Sequence, residues 1–246
     1  ILTSELKRAD VKFTHDAKLS KWLSVGSIFR LNHVWESKPE VEGSGVHAIA
    51  RDMIEMPSIY PIRWPDGTYA DTRVREGTSL DFYGYPNPVS ILNEIENLFD
   101  RTNFQGNIFA DFRITPELTF RSQVGVLNRL VKNRYYASGS ILGPGNPTGV
   151  ARIGNSDSRF WQNENFLTYD KTFGASHFKA VLGATWQGST FDESSITVRG
   201  FTNDFFKYNN VGVAEIPSPP SSDYTDWAMN SYFFRGNYTY KDKYTA

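Results

Sequence analysis

Between Phe104 and Val126 the chain alternates apolar and polar residues with period two, interrupted once by a turn. Phe104, Gly106, Ile108, Ala110, Phe112 and Ile114 fall on one face, and Gln105, Asn107, Asp111 and Arg113 on the other, with Phe109 as the exception. Thr115-Pro116-Glu117 turns the chain. Leu118, Phe120, Val124 and Val126 then continue the apolar face, Ser122 among them, opposite Thr119, Arg121, Gln123 and Gly125. This pattern predicts two strands, each with one apolar and one polar side. Each arm is about ten residues long, the length that crosses a bilayer as a tilted strand. A soluble sandwich gives the same alternation, so the rest of the chain has to decide between them.

Other segments repeat the unit. Leu6–Ala17 predicts a first strand and Leu23–Leu31 a second, with Leu23, Val25, Phe29 and Leu31 opposite Ser24, Gly26, Arg30 and Asn32. Phe160–Thr190 predicts a hairpin turning at Gly174-Ala175-Ser176, although Phe160 and Phe166 break the alternation of its first arm. Ala228–Tyr240 predicts a last strand. Short turns stand near 18–21, 115–117, 174–176 and 241–243, and long connections run over Glu36–Thr102, Asn128–Asp157 and Asp192–Asp226. The first of these contains helical spacing at Ser90–Asp100, through Ile91, Leu92, Ile95, Leu98 and Phe99. In an antiparallel meander every second connection lies at the same end. All short turns therefore fall at one end and all long connections at the other, as in outer-membrane barrels. Trp22, Phe173, Tyr238, Tyr240 and Tyr244 stand near the short turns, where an interfacial aromatic girdle would lie. The expected fold class is all-β: an antiparallel transmembrane β-barrel segment of about seven to eight strands with long extracellular loops.

Composition narrows the alternatives. A formal net charge of −1 argues against binding nucleic acid through bulk electrostatics. With no cysteine there is neither a disulfide framework nor a thiolate metal site. No apolar run reaches the roughly 18 residues of a membrane helix, so a membrane protein with this sequence must be a barrel. Ile1-Leu2-Thr3-Ser4-Glu5 lacks the features of a signal peptide, and Lys243-Tyr244-Thr245-Ala246 stops as a strand begins. Both ends suggest part of a larger protein.

Several stretches resemble, in order, the SusC/RagA-like family of TonB-dependent outer-membrane transporters. They are Arg51 with Met56-Pro57, Pro61, Asp66-Gly67-Thr68-Tyr69 and Asn87-Pro88; then Gly106-Asn107-Ile108-Phe109 with the hairpin after it; then Phe160 through Tyr169, with His177 and Gly183 downstream; and Ser231 through Tyr238 with Asp242-Lys243-Tyr244. The resemblance implies a barrel of about 22 strands closed by an N-terminal plug. It implies residues 1–246 as part of the barrel domain, with the plug and remaining strands absent from this chain. It further implies import of a glycan or peptide substrate across the outer membrane of a Gram-negative, Bacteroidota-like bacterium. A SusD-like surface lipoprotein would be the partner, and the TonB complex would act through the missing N-terminal part. The alternatives are another outer-membrane barrel, such as a siderophore receptor or a passive porin, or a soluble β-rich carbohydrate-binding module.

No catalytic constellation emerges. His15, His33, His47 and His177 are dispersed without metal-ligand spacing, and no phosphate-binding glycine loop is present. Asp66-Gly67 with Asp71 lacks the ligand series of a calcium loop and reads as a turn. The expectation is a non-enzyme without metal or cofactor. The lumen-facing candidates are Arg30, Asn32, Asp111, Arg113, Arg121 and Gln123, which either line a wet interior or form a hydrogen-bonding lattice in the wall. Asp111 is placed to pair with Arg121 across the hairpin. The loop candidates for substrate or partner contact are Trp64, Tyr69, Tyr83 and Tyr85, with packing inside the loop as the alternative.

Overall fold

The computed structural model describes residues 4–38, 49, 53–54, 56, 58, 61–70, 87–142, 148–241 and 243–245. Its strands are β1 (Glu5–Lys18), β2 (Leu23–Ser37), β3 (Ile95–Arg113), β4 (Leu118–Ala137), β5 (Val150–Phe173), β6 (Ser176–Arg199), β7 (Ile216–Pro217), β8 (Ser221–Tyr240) and β9 (Tyr244–Thr245). They form one antiparallel meander in the order β1-β2-β3-β4-β5-β6-β8-β9, with β7 added beside β6. The sheet is not closed among the described residues. The short turns connect β1 to β2, β3 to β4, β5 to β6 and β8 to β9, all at one end, as the sequence pattern predicts.

Register puts the predicted faces together. Ser27 pairs with Ile108, Ile108 with Val124, Val124 with Asn163, Asn163 with Trp186 and Trp186 with Asn230. Alternation then places Val25, Phe29, Phe112, Phe120, Val124, Leu182 and Phe234 on one continuous face. Much of that face is open to its surroundings, with Leu182 57% and Phe234 70% exposed. A soluble sandwich would bury such a face, and so does not account for it.

The apolar band on this face is oblique. In β2 it runs from Leu23 to Leu31, centred on Ser27, and in β8 from Tyr232 to Tyr240, centred on Gly236. The register that starts at Ser27 arrives at Asn230, six residues from Gly236. Six residues are about 20 Å along a strand, and five inter-strand steps are about 24 Å across the sheet. A band lying level in a bilayer therefore requires strands tilted by about 40°, the tilt of transmembrane barrels. Trp22 stacks on Phe112 at 6.3 Å and Tyr169 lies 6.3 Å from Phe178, adding to the aromatic border at the short-turn end.

The strands are longer than the alternation predicts. β5 and β6 have 24 residues each, although about ten suffice to cross a bilayer. The predicted long connections shrink accordingly, because β2 reaches Ser37, β3 starts at Ile95, β4 reaches Ala137, β5 starts at Val150, β6 reaches Arg199 and β8 starts at Ser221. Beyond the band both faces of the sheet mix polar and apolar residues, so period two disappears while the backbone ladder continues. Pairs such as Asp100↔Lys132 and Asp157↔Asp192 belong to this extension.

The predicted helix over Ser90–Asp100 is also corrected. Of this stretch only the part within Pro88–Glu94 is helical (α1), capped by the Asn87 side-chain Oδ1 accepting from the Val89 amide at 3.0 Å. At Ile95 the backbone becomes extended and enters β3, where Ile95 pairs with Ala137 and Phe99 with Asn133. Ladder pairing on β4 outweighs the helical spacing of Ile95, Leu98 and Phe99. A short second helix, α2 (Gly139–Leu142), follows β4.

Among the described residues the buried clusters lie in the extension, one on each face. Ile91, Leu92 and Ile49 pack with Ala137 and Ile141 on one side, and Tyr136, Ala151, Val198 and Phe201 with Tyr208 and Val211 on the other. Tyr136 and Ala137 are consecutive, so the wall at this height is sandwiched between two connections. On the Tyr136 side the 200–220 connection is held by the Tyr136 and Ser138 hydroxyls donating to Asp204, and by Lys207 pairing with Glu96.

Candidate functional site

The polar face opposite the band carries all six strand candidates. Arg30 donates to the Asp10 carboxylate through Nε and Nη2, at 2.8 Å for Nη2, and Arg8 reaches the same carboxylate at 2.9 Å. Asn32 is buried and donates Nδ2 to the Ala9 carbonyl and to Asp10, while Asn103 donates to its Oδ1 at 3.2 Å. Arg121 grips Asp111 with two bonds of 2.6 and 2.7 Å. Its guanidinium also lies 4.6 Å from the centroid of Phe109. The pairing of Asp111 with Arg121 rather than Arg113 follows from the ladder, in which the two residues are directly opposite. Arg113 is exposed at the end of β3 and has no side-chain partner among the described residues. Gln123 donates to Glu164, which also accepts from Gln162 at 3.4 Å.

Phe109 stands among these polar groups because Gly26 lies opposite it. The glycine leaves room for the ring, and a Cβ there would meet ring atom Cζ at 2.3 Å and Asp16 Oδ1 at 2.5 Å. Gly183 plays the same part for Phe233, whose ring atoms would lie 2.1 Å from an added Cβ. Phe166 packs 5.8 Å from Phe233, and Phe160 packs 6.2 Å from Trp227. These four aromatics belong to the polar face, which is why Phe160 and Phe166 break the alternation. Phe166 and Phe233 share Gly183 opposite them and Phe160 and Trp227 share Ser189, a small residue opposite an aromatic that can be read as a signal only with the register known.

The loop candidates divide. Tyr83 and Tyr85 lie outside the described residues. Arg63 and Tyr69 form a small bridge with the Arg63 guanidinium 3.8 Å from the Tyr69 ring, and the Trp64 amide donates to the Thr68 carbonyl at 2.8 Å. Asp66 Oδ1 accepts from the Thr68 hydroxyl at 2.6 Å and the Thr68 amide at 2.9 Å, bonds that hold its carboxyl below the usual carboxylate range. That oxygen serves the turn. The Asn87 amide donates to the Ile62 carbonyl at 2.9 Å and ties this turn to α1. Tyr69 is therefore engaged within the loop.

The described strands form a wall. One face matches a bilayer in polarity and tilt, and the other is a lattice of paired charges and amides. Among the described residues no group of three or more metal-ligating side chains converges.

Comparison with known proteins agrees with the resemblance read from the residues. No protein-family model matches the chain. It is 27% identical over 99% of its length to TonB-dependent receptor P26 of Formosa agariphila, and 22% identical over 99% to TonB-dependent receptor P3 of the same organism. It spans 24% of each of those relatives, about a quarter of their length. Among solved structures, the RagAB peptide transporter superposes with a TM-score of 0.78 over 97% of this chain and 26% of that one, at 17% identity. The same importer in its closed-closed state gives 0.74 over 96%. The fold is thus that of a segment of an outer-membrane TonB-dependent barrel. The relatives are named as receptors rather than enzymes.

Proposed function

We propose that this chain is part of the wall of an outer-membrane importer that takes up glycan or peptide nutrients with energy delivered by TonB. In this reading the apolar band faces lipid and the polar face lines the lumen. The short turns border the periplasm, and the extended strands rise above the outer leaflet to meet a SusD-like surface lipoprotein. Residues 1–246 belong to the barrel, and the plug is supplied by another part of the parent protein. Arg30, Asn32, Asp111, Arg121 and Gln123 form a lattice that stiffens the lumen wall, and Arg113, without a side-chain partner among the described residues, is available to whatever fills it. The wall performs no catalysis.

The observation that carries this reading is the single apolar band crossing seven long strands at the obliquity of a barrel, in a sheet that superposes on the RagAB importer over nearly its whole length. The experiment is purification of the full-length protein from outer membranes in detergent, with mass spectrometry of what comes with it. A surface lipoprotein is expected to co-purify, and removal of residues 61–70 to weaken that association while the barrel still assembles. A full-length protein that purifies without detergent, or one whose deletion strain takes up peptides and glycans at the normal rate, overturns the reading.

A further inference from the structure

The two borders of the apolar band differ in charge. At the short-turn end Lys18, Lys21, Lys241 and Lys243 come from two separate connections, and none has a carboxylate partner among the described residues. Other cations nearby are already neutralised, Lys171 by Glu117 at 3.4 Å and Lys179 by Asp170 at 3.1 Å. The free lysines stand at the height of the aromatic border. Lys241 Nζ lies 5.4 Å from the Tyr240 ring centroid, and Lys243 Nζ lies 5.6 Å from that of Tyr244. At the opposite border the same face carries Asp157, Asp192 and Asp226 beside Lys132 and Arg159, so acidic groups outnumber the cations there, and among the described residues Asp157 pairs with Arg159.

We propose that the short-turn rim is a binding surface for anionic phospholipid headgroups of the leaflet it borders. A lysine beside an interfacial aromatic extends its stem along apolar surface and presents its ammonium at phosphate depth. Several such groups spaced around a wall attract a ring of anionic lipid in place of zwitterionic lipid. Each cation near a charged membrane surface contributes about fivefold in binding, an effect screened within a Debye length. The rim thereby fixes the depth of the barrel and resists vertical displacement when force is applied from that side. This inference rests on the membrane reading above, since it needs the short-turn end to meet a leaflet.

The test uses the full-length protein, purified in detergent and offered equimolar phosphatidylglycerol and phosphatidylethanolamine, with retained lipid counted by native mass spectrometry. Wild-type protein is expected to retain phosphatidylglycerol several-fold over phosphatidylethanolamine at low salt, with the preference shrinking as salt rises. The combined variant Lys18→Gln, Lys21→Gln, Lys241→Gln and Lys243→Gln should lose the preference, and arginine at the same four positions should keep it. Inorganic phosphate at millimolar concentration should not displace the lipid; displacement would reveal a free-anion site and overturn the proposal. A wild type without preference, or a glutamine variant that retains it, also overturns it. If the glutamine variant fails to assemble, the arginine variant and the salt dependence of the wild type decide the matter. Failure of the membrane reading looks different, because that protein would retain neither lipid.

Discussion

Phe109 lies across the α-carbon of Gly26 on the neighbouring strand, so closely that a methyl group there would come within 2.3 Å of ring atom Cζ. The Arg121 guanidinium covers the ring from the other side, and Asp111 holds the guanidinium. One missing side chain on β2 thus sets a polar cluster on β3 and β4. Gly26→Val is expected to expel the ring and to destabilise the wall by about 1–3 kcal/mol, the usual cost of overpacking. The denaturant midpoint of the full-length barrel checks this. The double change Gly26→Val with Phe109→Gly should recover much of the loss.

Arg121 is partly open to solvent and its pair with Asp111 lies within the wall. Arg121→Gln should therefore lower stability by about 0.2–1 kcal/mol, as for other cross-strand charge pairs, and leave the channel tight. Arg113→Gln removes a cation with no partner in this segment and should leave stability unchanged. Antibiotic sensitivity of cells carrying each variant, beside thermal melts, separates these roles. Leakage from Arg113→Gln alone would assign Arg113 to holding the lumen's contents.

Leu182 stands at the centre of the band in β6, in register with Leu167 and Phe234. Arginine at Leu182, or at Phe120 one strand beyond Leu167, should cost about 2–4 kcal/mol if the face meets lipid at its midplane. Leu130 is on the same face but above the band, paired with Asp157. Arginine there should cost less than about 1 kcal/mol. Folding into vesicles across a denaturant series measures the gradient, and equal costs at Leu182 and Leu130 would contradict the depth assignment.

Tyr136 donates its hydroxyl to Asp204 from a buried position above the band. Burial and the neighbouring carboxylate push its phenol well above the ordinary tyrosine range. A raised acid pKa in the folded state means that this contribution is complete below about pH 10, the unfolded value, and is lost only as the pH rises towards the folded one. The phenolate absorbance of Tyr136, taken as the difference between wild type and Tyr136→Phe, should therefore appear at higher pH than in a tyrosine peptide. Tyr136→Phe removes a hydrogen bond to a charged group, worth about 1.5–3 kcal/mol, and should speed protease cleavage within 200–220.

Alternation by itself determined the antiparallel meander, the apolar face and the end at which the short turns gather. Period two is dictated wherever one side of a strand meets a uniform apolar medium, and the bilayer imposes that from Leu23 to Leu31 and from Phe104 to Val126. It also marked Asp111 and Arg121 as a possible pair, since both flank one tight turn. It left the upper strands unread, because Asn128–Ala137 and Val150–Arg159 mix apolar and polar residues on both sides and nothing selects a period there. The helical spacing of Ser90–Asp100 misled for a related reason: local pattern is weak against a ladder supplied by a strand distant in sequence. The polar-face aromatics Phe109, Phe160 and Phe166 were legible only as faults in a pattern, and Trp227 and Phe233 not at all. Tertiary structure decided them, because whether a ring fits on a wet face depends on which residue the register sets opposite it, and at Gly183 and Gly26 that residue has no side chain.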